Sequence, residues 1–241
     1  MSTKLDLNSD LGEGESAART RALMRWITSA NVACGGHAGG VRSMENCVRL
    51  AKEFQVRLGA HPGPWSRENH GRIHVSMTPA ELELLLLQQV GALERVARRH
   101  GVPLHHLKLH GWLYHATEHS DALARSYVQS AVRWWPGVKI FALSGGRVAR
   151  IAMQIGVPVW EEIFADRGYR HDGALIDRSE PQALITQPRL AAERVRTFLA
   201  TGQIHATSGQ ALPLRAQTIC IHADTPGAAA MAQAVRKLLD D

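Results

Sequence analysis

The sequence predicts an α/β protein, a distorted (β/α) barrel of about seven strands. Short apolar segments with strand character alternate with helical segments about seven times along the chain. Four of the strand segments lead directly into a histidine, namely His37, His61, His110 and His222. Because the carboxyl ends of parallel strands meet on one face of such a fold, we expect these imidazoles to converge on a site there.

Size and composition indicate one globular domain over residues 1–241, with 45% hydrophobic and 21% charged residues. No apolar run is long enough to span a bilayer and no secretory signal is present, so we expect a cytoplasmic protein without a membrane partner. The three cysteines are too scattered for a disulfide framework. The net charge of +6 comes from basic residues spread over helix faces, which argues against a nucleic-acid partner.

The first strand segment, Lys4–Asn8, opens into a loop with the acids Asp10, Glu13 and Glu15. This loop lacks the glycine and lysine pattern of a phosphate-binding loop, and its acids would repel phosphate. A metal, an amine or a proton-transfer role suits these carboxylates better. A helix is predicted next, over Ala17–Thr28.

A second strand runs into the glycine-rich turn of Ser29–Gly39. Small and apolar residues alternate there, as in a strand buried on both faces, and the glycines leave room beside His37. A helix over Ser43–Phe54 follows, with apolar residues at helical spacing. The strand Val56–Ala60 then ends at His61.

The longest loop, Pro62–His74, is predicted to be a lid or a binding loop, because long loops on compact domains usually carry function. The next helix has a clear start signal. Thr78 is a capping residue, Pro79 occupies the first helical position and Glu81 the third. We expect this helix to end near His100.

The strand His106–Leu109 contains a charged residue, Lys108. Burying an unpaired ammonium group is costly, so we expect Lys108 to face a polar pocket or an acid. A helix over Asp121–Trp135 and a strand over Lys139–Leu143 follow. Another helix begins after Gly146, and a phosphate at its N-terminus is one interpretation.

The strand Val157–Trp160 is followed by Glu161 and Glu162, which we expect on the same face as the histidines. Four further elements are predicted: an extended excursion or hairpin over residues 175–186, a helix over Pro188–Ala200, a strand over Thr218–Ile221 and a helix over Pro226–Leu239.

Five motifs match one known family in the right order and cover nearly the whole chain. They are Asp6–Gly14, Ser29–Gly35 with His37–Gly39, Gly59–Gly63, Glu162–Arg167 with Tyr169, and Ile219–His222 with Asp224–Pro226. In these motifs the chain resembles the LamB/YcsF family. The resemblance implies a barrel related to the glycoside hydrolase and deacetylase superfamily.

The resemblance also implies an activity, the ATP-dependent cleavage of 5-oxo-L-proline, a lactam, to L-glutamate. Family members act as the A subunit of 5-oxoprolinase with partner subunits B and C, and ATP with Mg²⁺ is the implied cofactor of the complex. Because a five-membered lactam is a stable amide, its carbonyl oxygen needs activation before water attacks. The chain has no recognised nucleotide-binding loop, so two positions for ATP stay open: a site elsewhere and a site across a subunit interface. A homo-oligomer also stays open.

The strand ends and the family motifs supply the candidate residues for this chemistry. The candidate catalytic residues are Asp10, His37, His61, Lys108, His110, Glu162 and Asp224. The candidate substrate-binding residues are Asn8, Asn31, Arg72, Asp166, Arg167 and His222.

Each group of candidates suits one role. Lys108 with His110 is expected to stabilise developing negative charge or to bind a carboxylate. Asp224 or Glu162 is expected to be the general base. The guanidinium groups of Arg72 and Arg167 match the carboxylate of the substrate, and a structural salt bridge is the competing interpretation for each.

A divalent metal is a further expectation, because Asp10, His37 and His61 would suffice as its ligands, as in related deacetylases. The alternative is a metal-free cluster of hydrogen-bonded acids and bases. Two other functions also stay open: a metal-dependent amidohydrolase or deacetylase acting on another cyclic amide or an N-acyl sugar, and a noncatalytic partner subunit. Departures from the family pattern at Gly40 and Trp112 lie on the pocket side, which keeps another lactam open.

Overall fold

The computed structural model describes residues 5–240, and within this part of the chain seven parallel strands form a closed barrel. The first six barrel strands are β1 (Asp6–Leu11), β2 (Ser29–Ala33), β3 (Arg57–His61), β4 (Leu104–Leu107), β5 (Lys139–Leu143) and β6 (Val159–Phe164). A small antiparallel pair follows, formed by β7 (Gln203–His205) and β8 (Ala211–Pro213). The seventh barrel strand is β9 (Thr218–Cys220). Neighbours follow chain order, and β9 closes the barrel between β6 and β1. The predicted barrel is therefore confirmed.

Helices connect the strands of the barrel. They are α1 (Ala17–Met24), α2 (Val41–Phe54), α3 (Pro79–Arg99), α4 (Gly111–His119), α5 (Asp121–Trp134), α6 (Arg147–Gln154), α7 (Pro188–Thr201) and α8 (Ala228–Asp240). The predicted start of α3 is confirmed, since Thr78 accepts a hydrogen bond from the Glu81 amide and Glu81 accepts one from the Thr78 amide. None of the described helices combines the length and the apolar character that crossing a membrane requires.

Several boundaries differ from those predicted. Strand β6 continues through Glu161 and Glu162 instead of ending before them, because Glu162 pairs with Thr218 of β9. Both acids therefore lie within a strand. Strand β4 stops at Leu107, and helix α4, which was not predicted, begins at Gly111. Helix α1 ends earlier than predicted, and the β7–β8 pair was not expected.

The interior of the barrel is polar, although the sequence pattern had suggested mainly apolar strands. Asp6, Asn8 and Asp10 alternate with Leu7 along β1, and all four residues are buried. Since successive side chains of a strand point to opposite faces, the polar residues share the inner face. Their hydrogen bonds reach side chains of other strands at three positions along β1, and the Asp10 position opens into a pocket.

A glycine makes room for the ring of His106 inside the barrel. The ring of His106 passes so close to Gly59 that a Cβ there would lie 2.0 Å from Nε2 of the imidazole. Any side chain at this position would therefore displace the ring. With glycine present, His106 donates to Oδ1 of Asn31 over 2.6 Å and stacks on Phe141.

The N-terminus of α6 is already occupied by a carboxylate. Glu118 accepts hydrogen bonds from the amides of Arg147 and Val148, which are the free donors of the first helical turn. A bound phosphate would have to displace this carboxylate, so the geometry does not favour the phosphate interpretation of the sequence.

Candidate active site

A small pocket opens at the carboxyl ends of the barrel strands. The predicted site residues that line it are Asp10, His61, Arg72, Lys108, His110, Arg167 and His222. Phe164 and Arg178 also line it and were not proposed as site residues.

Lys108 is the buried cation of the pocket floor. Its Nζ lies 3.1 Å from Oδ1 of Asp10 and 3.0 Å from Oε1 of Glu162, and it donates to Oδ1 of Asn8 over 3.2 Å. Burial is the largest influence and opposes the charge, but attraction to Asp10, Glu162 and its other partners together outweighs it and holds the pKa of Lys108 well above its usual range. The prediction that Lys108 faces an acid is confirmed.

Glu162 lies beneath Lys108 and does not line the pocket. Its carboxylate accepts hydrogen bonds from Nδ2 of Asn8 over 2.8 Å and from the hydroxyl of Tyr114 over 3.3 Å. Burial raises the pKa of Glu162, although Lys108 opposes the shift. A group enclosed in this way cannot reach a substrate, so the geometry does not favour Glu162 as general base.

Asn8 and Asn31 also lie inside the barrel, outside the pocket lining. Nδ2 of Asn31 donates to Oδ1 of Asn8 and to Oδ1 of Asp10, each over 2.7 Å. Both amides therefore hold buried groups in place. The geometry does not favour the expectation that they contact substrate, because their donors and acceptors are used within the barrel.

His222 presents one ring nitrogen to the pocket and is held through the other. Oδ1 of Asp166 lies 3.0 Å from Nδ1 of His222, and Oδ2 accepts from the His222 amide and from the hydroxyl of Thr225. Nε2 of His222 lies 3.8 Å from Oδ2 of Asp10. Burial lowers the pKa of His222, which keeps the ring neutral and able to accept a proton. Asp166, predicted to bind substrate, instead positions His222.

A second group of titratable side chains borders the pocket, and we call it the histidine–glutamate cluster: Glu13, His37, His61 and His110. Oε1 of Glu13 lies 3.0 Å from Nε2 of His37, 3.1 Å from Nδ1 of His110 and 3.6 Å from Nε2 of His61. Burial raises the pKa of Glu13, but His110 and the other imidazoles lower it well below its usual range. The carboxylate is therefore ionised.

Glu13 was not proposed as a site residue. The loop that carries it was predicted to suit a metal or a proton transfer, but nothing in the pattern distinguished Glu13 from its neighbour Glu15. The positive φ of Gly12, +78°, turns the chain after β1 so that Glu13 returns over the barrel mouth.

The predicted ligand set of Asp10, His37 and His61 does not come together. Oδ2 of Asp10 lies 3.4 Å from Nε2 of His61, but His37 contacts Glu13 rather than Asp10. His37 and His61 gather with Glu13 and His110 in the histidine–glutamate cluster, whereas Asp10 gathers with Cys220 and His222. The structure therefore divides the predicted ligand set between two groups of donor atoms.

The rim of the pocket carries an arginine pair. Oδ2 of Asp224 lies 2.8 Å from Arg72 and 2.7 Å from Arg178. Burial raises the pKa of Asp224, but Arg178 and His222 outweigh it and lower the pKa below its usual range. A carboxylate held by two guanidinium groups is a poor proton acceptor, so Asp224 is not favoured as general base.

Arg167 differs from Arg72 in what it binds. It donates to the backbone carbonyls of Ala183 and Ile176, which belong to the excursion between β6 and α7. Burial lowers the pKa of Arg167 to about 10. Although it lines the pocket, much of its donor capacity holds this excursion in place, which supports the structural interpretation over a carboxylate clamp.

Known proteins resemble this chain over almost its full length. The A subunit of a 5-oxoprolinase from Pyrococcus abyssi is 41% identical, and that from Thermococcus onnurineus is 42% identical, each over 99% of this chain and 94% of the relative. The solved structure of a lactam utilization protein from Thermus thermophilus is 36% identical with a TM-score of 0.90, covering 98% of this chain and 96% of that one.

These likenesses agree with the five sequence motifs and with the seven-stranded barrel. The model of the LamB/YcsF family matches residues 5–241, nearly the whole chain. This chain therefore belongs to the LamB/YcsF family.

Proposed function

We propose that this chain opens the ring of 5-oxo-L-proline to give L-glutamate, as the A subunit of an ATP-dependent 5-oxoprolinase with subunits B and C. One observation carries the proposal. A neutral histidine held by Asp166, a buried ammonium group and an arginine pair all border a single small pocket. A base, a fixed positive charge and a carboxylate site are what hydrolysis of an amino-acid lactam requires. The names of the relatives support the same role.

The substrate carboxylate binds at the rim beside Asp224, to the guanidinium donors of Arg72 and Arg178 that Asp224 does not engage. Arg72 and Arg178 already hold one carboxylate there, and both side chains line the pocket. The guanidinium fork matches a carboxylate, and binding at the rim points the ring toward the pocket floor. The lactam carbonyl then lies toward Lys108, whose charge favours negative charge on the carbonyl oxygen.

His222 is the general base of this proposal. Its Nε2 takes a proton from water as the water oxygen attacks the lactam carbonyl carbon, and the C–N bond then breaks. The same nitrogen returns the proton to the departing amine, so the histidine ends neutral. Asp166 keeps the proton of the free ring on Nδ1 and stabilises the imidazolium that forms.

ATP with Mg²⁺ is proposed to act in the assembled complex of this chain with subunits B and C. Transfer of the γ-phosphoryl group to the lactam carbonyl oxygen would convert that oxygen into a good leaving group, released later as phosphate. In total one 5-oxo-L-proline, one ATP and two waters would give glutamate, ADP and phosphate, because the first water breaks the C–N bond to leave an acyl phosphate and the second water hydrolyses that acyl phosphate. The subunits B and C are proposed to hold the nucleotide, wholly or at an interface with this chain.

The test is an assay of this chain alone and with subunits B and C, supplied with 5-oxoproline and MgATP, in which glutamate and phosphate are measured together. Glutamate formed only by the complex, and lost in His222→Gln, supports the proposal. Full activity of a complex containing folded His222→Gln would reduce this chain to a noncatalytic partner. No glutamate from an assembled complex would exclude 5-oxoproline as substrate.

A second candidate is a metal-dependent amidohydrolase acting without ATP on another cyclic amide or an N-acyl sugar. The histidine–glutamate cluster favours it, because imidazole and carboxylate groups are common ligands of catalytic metals. Hydrolysis by the isolated chain that chelator abolishes and ATP does not stimulate would support this candidate.

A further inference from the structure

The hydrogen bonds of His61 and His110 determine where their protons lie. Nδ1 of His61 lies 2.8 Å from the carbonyl oxygen of Lys108, and Nε2 of His110 lies 2.7 Å from that of His70. A carbonyl oxygen only accepts hydrogen bonds, so each of these nitrogens carries its proton. The second nitrogens of the two rings then face each other over 2.9 Å.

Two neutral imidazoles in this arrangement direct their lone pairs at each other. Such a contact is repulsive unless a positive species lies between the nitrogens, either a shared proton or a metal ion. Backbone carbonyls that hold the outer N–H of a histidine are also the usual support of metal-ligating imidazoles. When both rings are neutral, the pair of His61 and His110 therefore presents two lone pairs to one cation.

Ring orientation and a third donor favour a metal ion. The rings of His61 and His110 are perpendicular, at 89°, so one point can lie in both ring planes. Oε1 of Glu13 lies 3.1 Å and 3.6 Å from the two facing nitrogens. Three donors at these separations can all lie about 2.1 Å from a single ion, the usual distance for zinc-type ligation.

His37 belongs to the cluster but is not a ligand of the same ion. Its ring stacks on His110 with centroids 3.5 Å apart and planes at 5°. Parallel stacked rings share no point in both planes, so one ion cannot meet the in-plane lone pairs of both. The buried Nδ1 of His37 also lacks the hydrogen bond that supports a ligating ring. Its Nε2 instead donates to Glu13.

We propose that Glu13, His61 and His110 bind one divalent transition-metal ion, and that His37 positions Glu13 for this binding. Two imidazoles and one carboxylate suit zinc, cobalt, manganese or iron in the divalent state. At the edge of the pocket such an ion would act as a Lewis acid toward a carbonyl group. The inference depends on the side-chain geometry and not on the identity of the substrate.

The experiment is a calorimetric titration of the chelator-treated, dialysed chain with Zn²⁺ and with Co²⁺, without substrate, ATP or partner subunits. We expect one ion per chain, a cobalt absorption band and a higher melting temperature with Zn²⁺. Glu13→Gln and His110→Ala should weaken binding at least about 10-fold, and His37→Gln about 10-fold, as is typical of supporting residues. Glu13→Gln is the safer variant, because its side chain keeps its size.

The control is His119→Ala, which removes an exposed histidine and should leave affinity and stoichiometry unchanged. Circular dichroism of the metal-free variants establishes that they are folded. Two results would overturn the proposal: no bound ion in the folded parent chain, or a metal affinity in folded Glu13→Gln and His110→Ala equal to that of the parent. A shared proton would then be the positive species between the two imidazoles. Either result is independent of whether 5-oxoproline is the substrate.

Discussion

Asp166 holds His222 through a carboxylate oxygen that lies 3.0 Å from the ring Nδ1. Its second oxygen accepts from the backbone amide of His222, so that both the ring and its attachment point are held by one side chain. With Nδ1 protonated, the lone pair of Nε2 faces the pocket. The pair therefore determines which nitrogen of His222 is available to a substrate.

Asp166→Asn is expected to lower kcat for glutamate formation by the complex about 100- to 10,000-fold, with little change in KM. The amide can donate to Nδ1 and so stabilises the tautomer whose Nε2 already carries a proton. Thr225→Val, which removes only a donor to Asp166, is the matched control and should cost about 10-fold or less. An unchanged kcat in folded Asp166→Asn would show that His222 is not the base.

Arg178→Ala is expected to raise KM for 5-oxoproline about 10- to 100-fold, because a hydrogen bond to a charged group contributes about 1.5–3 kcal/mol. Steady-state kinetics of the complex measures the effect. Arg170→Ala is the control, since Arg170 pairs with the exposed Glu180 and does not line the pocket. Equal KM values for both variants would argue against a carboxylate site at the rim.

Lys108→Met is expected to destabilise the chain by about 3–5 kcal/mol, since it leaves the carboxylates of Asp10 and Glu162 buried without their cation. Adding Glu162→Gln should recover part of the loss, because one unpaired charge is then removed. Urea denaturation measures both variants. Arg57→Met, which removes a half-exposed partner of Asp6, should cost about 1 kcal/mol or less. A similar small cost for Lys108→Met would contradict this role.

Gly59→Ala and Gly91→Ala are expected to have opposite effects on stability. A Cβ at position 59 would lie 2.0 Å from His106, which should destabilise the chain by about 1–3 kcal/mol. A Cβ at Gly91 meets nothing within 4 Å, and alanine there should stabilise helix α3 by about 0.5–1 kcal/mol. Thermal unfolding compares the two. Destabilisation of the chain by both substitutions would contradict the explanation that the Gly59→Ala effect comes from the limited space beside His106.

His106 should make the chain less stable as the pH falls below its ordinary pKa of 6.5. Burial holds the pKa of His106 well below 6.5, so the folded state stays neutral where the unfolded state binds a proton. Unfolding then takes up a proton, and this stability is present in full above pH 6.5 and lost progressively below it. His106→Gln should reduce the acid slope of the unfolding free energy by up to about 1.4 kcal/mol per pH unit. An unchanged slope would contradict a neutral His106.

Much of the fold and part of the site could be predicted from local sequence. Alternating strands and helices indicated the barrel, and histidines after strand ends marked the face that carries the pocket. The cost of burying an ammonium group predicted an acid beside Lys108, and Asp10 lies there. These inferences succeeded because side-chain alternation and strand direction follow from the backbone itself.

The partners of the site residues were beyond local sequence. Asn8 and Asn31 point into the barrel as strand alternation requires, but only the register between β1 and β2 directs both amides to buried groups instead of substrate. Arg167 meets backbone carbonyls because the excursion folds back over it.

Sequence by itself determined the barrel, the face that carries the pocket and the residue types available there. Tertiary structure decided that Glu13 joins His61 and His110, that Asp166 holds His222 and that Asp224 lies between two arginines. The physical reason is that hydrogen bonds and ion pairs act over about 3 Å. Residues far apart in sequence reach that distance only after strand register and loop path have been established.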